Sequence, residues 1–214
     1  MGGVELDMGY NLHYWKRRLA ERTDLSSYVT HLTRESDSQD LTEVLLSILN
    51  DGLIRGSDPQ TSFLHGERRA VCFQDAPLSA ICQNVRFEDT YREENEILKV
   101  RYRAAGFMFD KRYVYSKGGR PVVYDNPEEA KKFMEADQWW RIVKLDLSDN
   151  DHMIDWTHER EWRAPDDFEF ELKMATVLVP NRTIYKHLIQ ECASELPDAL
   201  SKLGGIVVMD RILY

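Results

Sequence analysis

A chain of 214 residues, 43% of them hydrophobic, is long enough to bury one sizeable core, and the expectation is a single domain over 1–214 with a helical extension over 1–25. The formal net charge of −9 works against a non-specific grip on nucleic acid or on an anionic membrane, because a phosphate surface calls for a basic footprint. The longest uncharged apolar stretch, residues 175–180, is too short to span a bilayer, and residues 1–10 lack the basic start and apolar run of a signal peptide, so a cytoplasmic protein with no membrane partner is expected.

In chain order, Tyr10, Tyr14, Trp15 and Leu19 recur at helical spacing among Lys16, Arg17, Arg18, Glu21 and Arg22, which predicts an outer helix over 10–21. Residues 28–33 are β-branched and aromatic and read as a strand, with an acidic turn over 35–39. Asp40 or Thr42 can cap a helix whose apolar stripe is Leu41, Val44, Leu45, Ile48 and Leu49, and Gly52 stands where a terminator belongs. Residues 57–69 read as a loop, 70–73 as a strand, and Pro77 opens a short helix over 78–82. A charged linker or surface helix is expected over 88–96 and a strand over 97–102. Residues 106–109, 112–115, a Gly118-Gly119 turn and 121–124 form a β-hairpin candidate. Beyond it come a helix over 126–140, strands at 141–147, 161–163 and 175–179, a helix over 183–203 broken near Pro197, and a closing strand at 206–209. Strands and helices are interspersed without regular βαβ alternation, so the fold class is α+β.

Cys72, Cys82 and Cys192 form no CxxC pair and read as reduced thiols. His152, Asp155 and His158 lack metal-ligand spacing, so no metal is expected. The chain has no GxGxxG, GxxxxGK, GxSxG or HExxH, which leaves the common dehydrogenase, NTPase, hydrolase and zinc-protease readings without support. The basic residues Arg101, Arg103, Lys111, Arg112, Lys117 and Arg120 read either as one positive face on an acidic protein or as a solvated strand pair.

The densest mixture of charge and aromatic residues is residues 154–163. If 159–163 is extended, alternation places Glu159, Glu161 and Arg163 on one face and Arg160 with Trp162 on the other. Two carboxylates on one face suit acid/base work or stabilisation of a cation, and equally suit a salt-bridged strand. His31 and Thr33 share a strand face and can hydrogen-bond a ribose or an amide, or simply be satisfied structurally. Arg68 and Arg69 stand before a buried strand, where an arginine can meet a phosphate.

Three segments, 70–78, 106–111 with 119–124, and 159–163, together resemble the abortive phage resistance proteins of the AbiGi type. A second similarity is to the DarT-like ADP-ribosyltransferases: His31-Leu32-Thr33, the helix over 41–50 and Gly52-Leu53 match their opening strand, helix and Gly-Leu turn. The resemblance implies an ADP-ribosyltransferase-like split β-sheet core with surrounding helices, and NAD as substrate with no metal. It implies His31 and Thr33 as NAD contacts, Arg68 or Arg69 at the phosphates, a nicotinamide-stacking tyrosine among Tyr113, Tyr115 and Tyr124 with Tyr124 as the candidate, and Glu161 as the catalytic residue. Glu159 completes a Glu-x-Glu spacing used by arginine-specific transferases. On this reading the chain is a mono-ADP-ribosyltransferase toxin of a phage-defence or toxin–antitoxin system, with an antitoxin or defence-system protein as partner and the acceptor open between nucleic acid, protein and free nucleotide. The alternative is a catalytically inactive antitoxin or phage-sensing module of the same fold. A shared ligand would require His31, Thr33 and Glu161 to converge on one cleft, with Phe73 and Trp162 in the core behind it.

Overall fold

The computed structural model describes residues 9–97, 100–101 and 103–212. Helix α1 (Leu12–Ala20) begins where the Asn11 side chain accepts from the Tyr14 N–H at 3.1 Å, and it buries none of its residues. After β1 (Tyr28–Leu32), α2 (Leu41–Asp51) is fixed by a reciprocal cap: Asp40 accepts from the Glu43 N–H and the Glu43 carboxylate accepts from the Asp40 N–H. Gly52 ends α2 with φ of 58°, a conformation that strains any residue with a Cβ. Next come β2 (Leu53–Ile54), β3 (Ala70–Gln74) and α3 (Leu78–Glu94). The sequence suggested two pieces over 78–96, but α3 is one helix: Ile81, Cys82 and Val85 anchor its first half, and the charged second half continues in solvent. The strand expected over 97–102 falls partly on Leu98, Lys99 and Tyr102, outside the described residues, while Ile97, Val100 and Arg101 lie in no strand.

The hairpin candidate is not a hairpin. Strand β4 (Gly106–Asp110) runs directly into α4 (Lys111–Ser116), because the Asp110 carboxylate accepts from the N–H groups of Arg112 and Tyr113 and so caps a helix. The Gly118-Gly119 pair then terminates α4; a Cβ on Gly119 would stand 2.5 Å from a Val114 methyl. Strands β5 (Arg120–Pro121) and β6 (Val123–Asp125) precede α5 (Pro127–Phe133), which stops at the extended Met134. A 3-10 turn, Ala136–Arg141, and the short strand β7 (Ile142–Lys144) replace the remainder of the expected helix and the longer strand. A second 3-10 turn, Thr157–Glu159, leads into β8 (Glu161–Pro165) and β9 (Phe168–Glu169). The chain finishes with β10 (Ala175–Val179), α6 (Arg182–Glu195), α7 (Ala199–Lys202) and β11 (Gly205–Val208), the break between the two helices falling at Pro197.

The main sheet has seven strands in the order β11-β10-β4-β1-β3-β8-β5, with β10 and β11 parallel and the other neighbours antiparallel. This mixed sheet, with helices packed on it, is an α+β architecture. One face carries Val29, Val71, Phe73, Phe107, Phe109 and Ala164 and meets Leu45 and Leu49 of α2, Leu188 and Cys192 of α6, and Phe168 and Phe170. The rings pack edge to face, with Phe73 and Phe109 each 5.2 Å from Phe168. On the other face, Leu32, Met108 and Leu178 meet Ile81 and Cys82 of α3. That apolar cover stops at β1. The β1–β3 ladder is a single pair, Thr30 opposite Gln74, whereas β1–β4 and β3–β8 each run for five. The sheet therefore parts between β1 and β3. Among the described residues no helix is long and apolar enough to cross a membrane.

Phe73 is 1% exposed and sits at the centre of the aromatic cluster, so Phe73→Ala should lose about 3 to 5 kcal/mol in urea titration. Trp162 is only half-buried against the same core, with Lys111 over its ring, so Trp162→Ala should lose distinctly less; equal losses would contradict this packing.

Candidate functional site

Buried polar side chains are costly unless paired, so their location is informative. The buried polar residues among those described are Thr30, Thr42, Gln74, Glu159, Glu161 and Arg163. All but Thr42 belong to β1, β3, β8 or the turn leading into β8. Directly opposed residues of antiparallel strands share a face, and Thr30 pairs with Gln74 as Gln74 pairs with Glu161. These three side chains thus form a row across three strands, with Cys72 and Arg163 paired one step behind it.

Glu161 and Arg163 are 6% and 4% exposed, two residues apart on one face of β8. Arg163 Nε donates to Glu161 Oε1 at 2.7 Å and Nη2 to Oε2 at 3.3 Å, while Nη1 donates to the carbonyls of Trp140 (2.6 Å) and Ile142 (3.0 Å). Burial opposes the Arg163 charge, but the adjoining Glu161 carboxylate favours it, and the guanidinium is held above its usual value. The Glu161 N–H donates to the Tyr124 hydroxyl at 2.6 Å. Burial raises the Tyr124 phenol, so it is neutral and keeps a proton to donate. Burial and the neighbouring Glu161 charge likewise push the Cys72 thiol well up, so it is a protonated thiol and not a nucleophile. The Gln74 Oε1 is enclosed with no hydrogen-bond partner in the protein.

The chain enters β8 through a kink. Arg160 adopts φ 46° and ψ 52°, a left-handed conformation that is uncommon outside glycine, and the Asp75 N–H is shared between the carbonyls of Glu159 and Arg160. Glu159 is therefore in a turn and not on an extended strand with Glu161, yet its side chain is still buried. Non-glycine residues held in this region tend to mark sites where the surroundings over-determine the backbone.

The structure brings together Glu161, Glu159 and Tyr124. It does not bring His31 and Thr33 to them. His31 pairs with Phe107, and its ring lies 6.0 Å from Phe73, on the face opposite Glu161. A carbonyl only accepts, so the 2.9 Å contact of His31 Nδ1 with the Cys72 oxygen is donated by an Nδ1–H and ties β1 to β3 where the ladder gives out. Thr33 lies beyond the end of β1, its N–H donating to Ala105. The expected common cleft is overturned by register: with Thr30 opposite Gln74, strand alternation turns His31 to the other side. Arg68 pairs with Asp166 at 2.7 Å, and Arg69 binds the Gly56 carbonyl and Asp167. Both precede Ala70, at the end of β3 away from Gln74, roughly 13 Å along the strand. Tyr113 packs on Phe109, and Tyr115 is exposed beside Trp162 and Arg120. The basic stretch makes no single positive face, because Arg101, Arg103 and Lys111 face Glu88, Glu35 and Asp75.

Thr30, Cys72, Gln74 and Arg163 are the members of the row that the sequence did not single out as site residues. Arg163 was legible, standing two residues after Glu161. Thr30 and Gln74 carried no signal without the register. Among the described residues no group of three or more His, Cys, Asp or Glu is placed to hold a metal ion. A cavity of about 580 Å³ lies elsewhere, between α2 and α6, lined by Asp40, Thr42, Glu43, His187 and Glu191 among others. No protein-family model, curated protein or solved structure matches this chain.

Removing one partner of a buried ion pair strands the other charge, so Arg163→Met should destabilise the fold by about 3 to 5 kcal/mol, and the double change with Glu161→Leu should recover most of it in urea titration. Additive losses would mean that the two side chains do not depend on each other.

Burial lowers the His31 imidazole from 6.5, partly countered by the Cys72 carbonyl. Above 6.5 the ring is neutral in both states; below it the unfolded chain takes the proton first, so stability falls with pH until the folded ring titrates. The unfolding midpoint should therefore drop between about pH 7 and 5, and His31→Gln, which keeps a donor for Cys72, should make that drop shallower. His65, lowered chiefly by burial, leaves a residual slope of the same sign.

Proposed function

We propose that this chain is an NAD-dependent mono-ADP-ribosyltransferase of a bacterial phage-defence or toxin–antitoxin system, with Glu161 as its catalytic glutamate. The observation that carries the reading is the gathering of buried polar side chains in one row, Thr30, Gln74 and Glu161, beside the left-handed Arg160. The order of β1 with its His-x-Thr, then α2, then Gly52-Leu53, and the parting of the sheet between β1 and β3, also favour an ADP-ribosyltransferase-like split core.

In this mechanism Arg163 holds both Glu161 oxygens and fixes the direction of the carboxylate. The remaining lone pairs accept a hydroxyl of the nicotinamide ribose, and the negative charge faces the oxocarbenium-like carbon as the bond to nicotinamide breaks. Because that positive charge exists only near the transition state, the interaction accelerates the step rather than merely binding NAD. Tyr124, which accepts from the Glu161 backbone N–H, would meet the same half of the substrate. His31 acts through the Cys72 carbonyl, holding β1 against β3, and not as a ribose contact. An antitoxin or other defence-system protein would restrain the toxin, and the acceptor would be found among DNA, RNA, protein or free nucleotide.

A second reading, an inactive antitoxin or phage-sensing module of the same fold, is favoured by the engagement of both Glu161 oxygens by Arg163 and by the absence of His31 from that face. Thermal shift separates the two. NAD at 100 times its dissociation constant stabilises a binding site by about 2.7 kcal/mol, and an inactive module without an NAD site shows no shift. With NAD and candidate acceptors, the wild type should release nicotinamide and add mass to one acceptor. Glu161→Gln, checked for folding by circular dichroism, should bind NAD yet turn it over some 10² to 10³ times more slowly. An equal rate in the variant would remove Glu161 from the chemistry.

A further inference from the structure

Gln74 is 5% exposed, and its Oε1 has no partner in the protein although it stands between Thr30 and Glu161 in the polar row. An enclosed acceptor left unpaired is destabilising, and such groups in native proteins call for an explanation beyond folding. The neighbours do not supply one. Arg163 directs four of its five N–H groups at Glu161 and at the Trp140 and Ile142 carbonyls, and the Glu161 backbone N–H is taken by Tyr124. Gln74 also ends β3, one residue before Asp75, which pairs with Lys111 at 2.7 Å.

We propose that Gln74 is a specificity-determining residue that recognises the primary carboxamide of nicotinamide, a role that rests on the NAD-transferase reading of the Glu161 site. A primary carboxamide complements a glutamine amide on both edges: its N–H₂ donates to Oε1 and its oxygen accepts from the Nε2 hydrogens. A carboxylate in the same place offers no N–H to Oε1 and adds negative charge beside Glu161 and Glu159, so nicotinic acid is rejected on two counts. Recognition of the leaving group at Gln74, next to the glutamate that stabilises the ribose cation, places both halves of the scissile bond along one row.

The test uses the full chain, with NAD, nicotinamide, nicotinic acid and ADP-ribose as probes. Gln74→Met should remain folded with a thermal midpoint no lower than wild type, since an unpaired acceptor is removed without leaving a cavity. Its KM for NAD and its inhibition constant for nicotinamide should rise about tenfold while ADP-ribose binding is unchanged, and nicotinic acid should not inhibit the wild type. If Gln74→Met fails to fold, Gln74→Asn, which withdraws the amide by one methylene, is read in the same way. NAD turnover with an unchanged nicotinamide constant in the folded variant would overturn the role of Gln74 and leave the transferase reading standing. A wild type that neither binds nor turns over NAD would overturn both.

Discussion

A carboxylate and a guanidinium enclosed together on a strand must find every partner within the protein, because water is not there to replace a missing one. In this chain Glu161 and Arg163 meet that demand by recruiting backbone from segments distant in sequence: the carbonyls of Trp140 and Ile142 close on the guanidinium, and the Tyr124 hydroxyl closes on the Glu161 amide. The segment 120–144, with β5 beside β8 and β6 beside β7, is thereby fixed over one end of the main sheet. Burial acts alongside these bonds, since Ala130, Trp140, Ile142 and Val143 are buried and Trp140 packs with Leu64 and Ala70.

The two faces of the sheet are consequently built on different principles. The face under α2 and α6 is a continuous aromatic and aliphatic core in which non-directional burial dominates. The opposite face changes character at β1, from the apolar contact with α3 to the polar row on β3 and β8. Directional hydrogen bonds hold that half and specify its geometry more sharply than burial does. A site with demanding geometry fits the polar half, and the apolar half supplies the stability that the polar half lacks.

The join between the halves is narrow. A single residue pair links β1 to β3, supplemented by the bond from the His31 ring to the Cys72 carbonyl. His31 is therefore a tether between the part of the sheet that is packed on both faces and the part that carries Glu161. Its position explains how a histidine can matter to the site without facing it.

Local chemistry was legible in the sequence. Asp40, Glu43 and Gly52 delimit α2 through bonds between residues a few positions apart, and Pro197, which has no N–H to continue a helix, separates α6 from α7. The concentration of Glu159, Glu161 and Arg163 was visible in the chain, because charge density near tryptophans is a property of the sequence itself, and all three are buried in the fold. Where a local bond competed with a plausible pattern, as when Asp110 capped α4, the hairpin periodicity of the flanking residues misled. What remained for the tertiary structure was which face of each strand meets which partner. Alternation groups His31 with Thr33 and Thr30 with Leu32, but only the register of Thr30 against Gln74 decides which group joins Glu161. That choice depends on strands about 40 and about 130 residues further along the chain, and no residue in β1 encodes it alone.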